Sequence, residues 1–140
     1  MNRKIKFRAY DKEDERMTYF DDEDYLYHCP FILRLEQVFK KDSNYDDYED
    51  FEYKDVTDKI ELTQYTGLHD KNGKEIYEGD ILKVIYNNKT EIFEVRYDEE
   101  NTCFRMYYEN LKFLDFTIEE IDLYEVIGNI YENSELLGGE

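Results

Sequence analysis

Hydrophobic and polar positions alternate from the start of the chain. In KIKFRAYD, Ile5, Phe7 and Ala9 stand against Lys4, Lys6 and Arg8, the period of a strand with one wet face. RMTYF resumes the extended pattern after a charged turn at residues 11–15, which predicts an N-terminal β-hairpin. The period changes in CPFILRLEQVFKK, where Phe31, Ile32, Leu35, Val38 and Phe39 fall at i, i+1, i+4, i+7 and i+8. Pro30 suits a first helical turn and Lys40 and Lys41 suit a last one, so this segment predicts one amphipathic helix packed on a sheet.

Short extended segments then follow in series: IELTQYTG, DILKVIYN, EIFEVRYD, CFRMYYEN, LKFLDF and YEVIGNIY, separated by turn signals at DKNGK, NNKT and DEEN. That spacing predicts a small antiparallel barrel or sandwich. In TIEEIDLYEVIG, Thr117 and Glu120 form a capping-box pattern, predicting a short helix that feeds a strand. Leu136 and Leu137 in SELLGGE predict a final apolar plug.

Composition supports a real core, because 15 Tyr and 9 Phe raise the aromatic share of the 140 residues to 17% and aromatic rings bury large areas. The formal net charge of -18 changes the picture more. Nucleic acid and anionic lipid bind by exchanging counterions with basic side chains, so this charge argues against both over most of the surface. The one basic run, NRKIKFR, carries Arg3, Lys4, Lys6 and Arg8, and with Phe7 and Tyr10 it leaves a small nucleic-acid-binding regulator as an alternative reading. No apolar run approaches the roughly 18 residues of a membrane span, and the first residues lack the apolar core and cleavage site of a signal peptide. Cys29 and Cys103 are far apart and read as free thiols.

Acidic residues concentrate between positions 11 and 61, where 18 carboxylates face 7 basic side chains. Within DSNYDDYEDFEY, the carboxylates Asp42, Asp46, Asp47, Glu49 and Asp50 are interspersed with Tyr45, Tyr48, Phe51 and Tyr53. An aromatic anchor supplies contact area while carboxylates steer a basic partner, so these nine residues are the candidate interaction site. Solvated loops and a metal-binding carboxylate site are the competing readings of the same stretch.

The segment TQYTGLHDKNGKEIYEGDILKV concentrates turn chemistry. Asn72 and Gly73 suit the positive φ values of a two-residue hairpin turn, Gly67 and Gly79 punctuate the region, and Asp80 is placed to cap nearby amides. Gly128 interrupts the last strand. The catalytic alternative takes His69, Asp70 and Asp80 as ligands of a divalent ion that activates water, a metal-assisted phosphodiester hydrolase. Neither histidine belongs to a recognised metal-ligand spacing, and no phosphate-cradling glycine loop, nucleophile elbow or cofactor motif is present. The balance therefore leans away from an enzyme, with no catalytic residue and no cofactor assigned.

Three blocks, IKFRAYDKEDERM, QYTGLHDKNGKEIYEGDILKV and YEVIGNIYENSELL, resemble the signature blocks of the YopX family of phage and prophage proteins. They lie in order and cover the chain from end to end, leaving the acidic middle unmatched. The family commonly has an aromatic at the position of Tyr10 and often a proline where this chain has Ser134. The resemblance implies a largely β fold with a small barrel-like C-terminal part, a bacterial host cytoplasm and no established activity.

The combined expectation is a mainly β protein, α+β overall: an N-terminal β-hairpin, one packed amphipathic helix, and a small antiparallel SH3-like barrel or sandwich in the C-terminal part. Residues 1–61 form the N-terminal region and 62–140 the C-terminal β domain, or the two share one core. Its expected function is a non-enzymatic phage accessory module whose partner is a host or phage protein; a homo-oligomer is compatible with an exposed strand edge.

Overall fold

The computed structural model describes residues 4–20, 31–34, 37–41, 53–108 and 112–138. The chain is mainly β, and it divides into two compact units, Lys6–Leu62 and Thr63–Glu140 with Met1–Ile5.

In the Lys6–Leu62 unit, strands β1 (Phe7–Asp11) and β2 (Arg16–Tyr19) pair antiparallel from Arg8↔Tyr19 to Asp11↔Arg16, the hairpin that the alternation predicts. Its turn is built on Asp11, whose Oδ1 accepts the amides of Glu13 at 2.9 Å and Asp14 at 3.2 Å. A short side-chain acceptor next to a turn satisfies amides that a tight reversal leaves without a ladder partner. On its inner side, Ala9 packs with Phe20, Val38 and Ile60, and Phe7 and Val56 cover this cluster.

The amphipathic helix expected over CPFILRLEQVFKK is not formed by the described residues. Phe31–Arg34 is a strand, β3, and Gln37–Lys41 is a strand, β4, paired antiparallel from Phe31↔Lys40 to Arg34↔Gln37. A third strand, β5 (Tyr53–Asp55), lies on the other side of β4 and completes the order β3-β4-β5. The i, i+4, i+7 spacing misleads because short apolar runs fit either period, and β-branched and aromatic residues accept the pleated state when a partner is at hand. Here Val38 has such a partner: its amide donates to Thr57 Oγ1 at 3.0 Å and its carbonyl accepts from Val56 at 2.9 Å.

Strand β6 (Ile60–His69) runs through the junction at Leu62 and Thr63. In the Thr63–Glu140 unit it is followed by β7 (Glu75–Tyr77), β8 (Asp80–Tyr86), β9 (Lys89–Asp98), β10 (Cys103–Tyr108), β11 (Lys112–Asp115) and β12 (Tyr124–Asn129). β7 pairs with β6, and the others form an antiparallel sheet in the order β11-β10-β9-β8-β12. The order has two ends, so this sheet is a curled half-barrel. Its inner side buries Ile76, Leu82, Val84, Phe93, Val95, Met106 and Tyr124, with Leu68, Phe116, Ile121 and Leu123 packed against them. Strand β8 contributes Ile81, Leu82 and Val84 to the interior, whereas Ile85 and Tyr86 stand exposed at its end.

Three local readings change. Positive φ at both central residues occurs not at Asn72 and Gly73 but at Asn87 (50°) and Asn88 (63°), in the two-residue loop between β8 and β9 closed by Tyr86↔Lys89. Two consecutive left-handed residues give the primed turn that matches strand twist. The short helix before the last strand is a 3₁₀ turn, Ile118–Leu123, and Thr117 Oγ1 bonds the Glu120 carboxylate at 3.1 Å rather than a helix amide. Leu136 and Leu137, expected as a plug, are 36% and 40% exposed.

Lys40 joins the two parts of the first unit, its Nζ lying 2.7 Å from both Asp11 Oδ2 and Asp14 Oδ2. Asp11 is 4% exposed. Burial raises the pKa of its carboxyl, but Lys40 and the two turn amides outweigh this and hold it below the ordinary value. Replacing Lys40 by Met is expected to lower stability by about 1–2 kcal/mol, since Asp11 keeps its amide donors but loses its cation. Urea unfolding at neutral pH checks this; an unchanged midpoint would show that the ion pair adds nothing.

Candidate functional site

Two features of the Thr63–Glu140 unit concentrate polar chemistry: the turn after β6, and an open cleft of the half-barrel.

The turn begins with a bulge. Between Tyr65↔Tyr77 and His69↔Glu75 the register of β6 slips, and Gly67 sits at φ 91° within the slip. Thr66 stabilises it by donating from Oγ1 to the carbonyl of Ile76 at 2.7 Å and accepting the amide of Leu68 at 3.2 Å. The chain then reverses over Asp70–Gly73, closed by the Gly73 amide on the Asp70 carbonyl at 3.0 Å and by the Asp70 amide on the Lys74 carbonyl at 2.8 Å. Gly73 takes the left-handed position at φ 81° and Asn72 does not, the arrangement of a three-residue hairpin loop ending in a glycine bulge.

Asp70 organises this reversal. It is 3% exposed, and its Oδ1 accepts the amides of Asn72 at 2.8 Å and Lys74 at 2.9 Å. Its Oδ2 accepts the amide of Val126 at 2.9 Å, 56 positions further on, and the neighbouring Lys71 amide donates to the Tyr124 carbonyl at 2.9 Å. The Val126 amide is open to this because β12 is the outer strand of its sheet, and Tyr124 and Val126, two positions apart, both turn their backbone groups toward Asp70 and Lys71. Burial pushes the pKa of the Asp70 carboxyl up, yet the three amides and the charge of Lys74 outweigh it, so the pKa lies below the ordinary 3.8.

Asp80 and His69 are engaged differently. Asp80, 2% exposed, accepts the Tyr77 amide on Oδ2 at 2.8 Å. The preceding Gly79, at φ 87°, donates to the Val95 carbonyl at 2.8 Å and accepts the Ile130 amide at 2.9 Å. His69 is exposed, with Nδ1 3.3 Å from the hydroxyl of Tyr65 and its ring set edge-on to the tyrosine ring at 5.9 Å. The structure thus places His69, Asp70 and Asp80 in separate tasks, and among the described residues no group of three or more His, Cys, Asp or Glu is arranged to hold a metal ion. At Gly128 a Cβ would lie 2.6 Å from Asn133 Oδ1 and 2.9 Å from Asn133 Cβ, so this glycine is a packing requirement of the turn after β12.

The acidic and aromatic candidates Asp42, Tyr45, Asp46, Asp47, Tyr48, Glu49, Asp50 and Phe51 lie outside the described residues, and Tyr53 opens β5. In the basic run, Arg8 is buried at 2% exposure and its guanidinium lies 5.9 Å from the centre of the Tyr19 ring, which removes it from any nucleic-acid surface. Among the described residues no helix is long and apolar enough to cross a membrane.

The cleft was not marked by any sequence motif. Its volume is about 570 Å³, and its floor is the top of the core: Val84, Phe93, Met106 and Tyr124. Tyr86 on one side and Leu114 on the other form an apolar mouth, 60% and 50% exposed. Polar rim positions are Asn87, Lys89, Glu91, Asp115, Thr117 and Glu120. Asp115 already pairs with Arg105, whose Nε is 2.8 Å from its Oδ1. The exposed end of an otherwise buried strand, Ile85-Tyr86, is the one sequence signal that points here.

Removing the Asp70 carboxylate leaves three amides without their acceptor, so Asp70→Ala is expected to cost about 2–4 kcal/mol in urea unfolding. The folded-state pKa is depressed relative to the unfolded chain. Asp70 therefore adds stability that is complete above about pH 4 and is lost as pH falls toward the folded value. The wild type should lose stability on acidification more steeply than Asp70→Ala; parallel acid limbs would show that the carboxylate does not carry the turn.

None of the curated proteins matches this chain. Among solved structures the fold is similar to that of protein EF1440 from Enterococcus faecalis, with 29% sequence identity, a TM-score of 0.60, and coverage of 97% of this chain and 99% of that one. It is also similar to protein yopX from Bacillus subtilis, with 23% identity, a TM-score of 0.61, and coverage of 96% and 97%. Neither name carries an activity. The family model described as YopX protein matches residues 6–138, and the chain belongs to the YopX family.

Proposed function

We propose that this protein is a non-enzymatic interaction module of phage or prophage origin that engages a basic partner protein in the bacterial cytoplasm through an acidic face. The observation that carries the reading is the division of labour among its carboxylates. Asp11, Asp70 and Asp80 are buried and bonded to backbone amides, so they serve the fold. Among the described residues Glu91, Glu119, Glu120 and Asp122 stand exposed, and such charge steers a positively charged protein and repels nucleic acid. Exposed apolar side chains accompany it: Tyr86, Phe113, Leu114 and Ile118 all lie at or near the end of a strand or 3₁₀ turn rich in acids. On the same reading the curled sheet acts as an SH3-like scaffold for contacts, and the run from Asp42 to Tyr53 adds carboxylates and aromatic anchors.

The test is affinity capture from lysate of a phage-bearing bacterial host, with the full chain as bait, beside a variant in which Asp42, Asp46, Asp47, Glu49 and Asp50 are neutralised. A discrete partner of basic character, retained by the native chain and lost by the variant, is expected. Equal retention by both baits would remove the acidic run from the interface. An absence of any partner through a moderate-salt wash would overturn the interaction reading.

A further inference from the structure

We infer that the cleft of the half-barrel is a docking site for a short peptide segment of a partner protein, one carrying a single apolar anchor between lysine or arginine residues. This rests on the interaction reading above and gives it a place on the molecule.

Size and lining are the first observation. A volume of about 570 Å³ accommodates one large side chain with adjoining backbone, and binding clefts of a few hundred Å³ with apolar floors are the common form of such sites. The floor is rigid, because Phe93, Met106 and Tyr124 are each no more than 2% exposed and locked in the core. Tyr124 is fixed further by its hydroxyl, which accepts the Thr117 amide at 3.2 Å, and by the edge-on ring of Phe116 at 5.6 Å. Tyr86 and Leu114 extend the apolar surface outward and remain exposed, the state of side chains that gain from being covered.

Charge selects the occupant. One wall is formed by the 3₁₀ turn Ile118–Leu123, from which Glu120 and Leu123 line the cleft and which has no basic residue in its last turn. Glu91 is an exposed rim residue, and among the described residues Lys89 is the one cation lining the cleft. With Asp115 paired to Arg105, these carboxylates outnumber the cation, so an apolar group flanked by positive charge is complementary and one flanked by negative charge is repelled. A second copy of this chain meets the same repulsion, since Thr63–Glu140 holds seven basic residues against eighteen acidic ones.

The test uses fluorescence anisotropy at low salt with three labelled peptides: a phenylalanine between Lys-Arg pairs, the same peptide with Ser for Phe, and the same with Glu for the basic residues. The Phe peptide should bind saturably, and the other two should bind at least about tenfold more weakly. Tyr86→Ala with Leu114→Arg, both at exposed positions, should abolish binding, whereas Glu91→Gln with Glu120→Gln should weaken it and flatten its salt dependence. Circular dichroism and the unfolding midpoint show that each variant is folded. No saturable binding of the Phe peptide, equal binding of the Ser peptide, or binding unchanged in Tyr86→Ala with Leu114→Arg overturns the assignment, as does concentration-dependent self-association that buries Tyr86. If that variant still retains the partner found by affinity capture, the cleft assignment alone falls; if the native chain captures no partner, the interaction reading falls with it.

Discussion

The carboxylate of Asp70 is the interaction on which the larger unit depends. A hairpin turn and a strand that arrive at each other from 56 positions apart must both satisfy amides that no ladder reaches, and one buried side chain accepts all three. The geometry is demanding. A glutamate would extend the acceptor by a methylene, and an asparagine would keep one good acceptor oxygen where two are used. The turn follows the register slip of β6 at Gly67, and β12 offers the Val126 amide from the outer edge of its sheet. Two of the sequence blocks that mark the family meet at this carboxylate, so their most distinctive residues are those of a structural joint.

The same device recurs at smaller scale. Asp11 accepts the amides of Glu13 and Asp14, Asp98 those of Glu100 and Asn101, Asp55 that of Thr57, Asp80 that of Tyr77, and Asn129 those of Tyr131 and Glu132. A chain of many short strands has many tight reversals, and Asp and Asn are the residues that close such reversals with their own side chains. Part of the acidity is thus turn chemistry. A raw charge count therefore overstates the number of carboxylates available for binding.

What was legible in the sequence follows from how local the cause is. The hairpin and its turn at residues 11–15 are set by neighbours a few positions away and form as read, whereas the alternation does not hold as one wet and one dry face, since Arg8 is buried and Ile5 is exposed. The strand series from Ile60 to Asn129 is signalled by its turns, whose Asp, Asn and Gly residues carry their conformation with them. The segment around Val38 is decided by Thr57 and Val56, about twenty positions distant, and no periodicity within it reports that partner. Likewise the Asn-Gly pair at 72–73 is a good primed turn by itself, but Asp70 offers its side chain to the loop and selects a longer one, leaving the primed turn to Asn87 and Asn88. The cleft was invisible for the same reason: its floor comes from β8, β9, β10 and β12, and no two of those residues form a motif in the chain.

Charge and stability are coupled in a molecule of this composition. Eighteen acidic residues against seven basic ones in Thr63–Glu140 leave an excess of negative charge that repels itself, and folding must overcome that repulsion with the apolar core and the amide-bound aspartates. Arg105 relieves part of it locally, holding Asp98 at 2.6 Å and Asp115 at 2.8 Å while its guanidinium stacks 4.2 Å from the centre of Phe113. The cleft wall formed by the 3₁₀ turn at Glu120, with Glu119 and Asp122 beside it, has no basic residue in its last turn. Whatever basic group approaches that wall gains the attraction and also removes a repulsion that the folded state carries alone. Binding there and stability of the fold are therefore linked, and a partner selected by this surface acts as a stabiliser of the state that binds it.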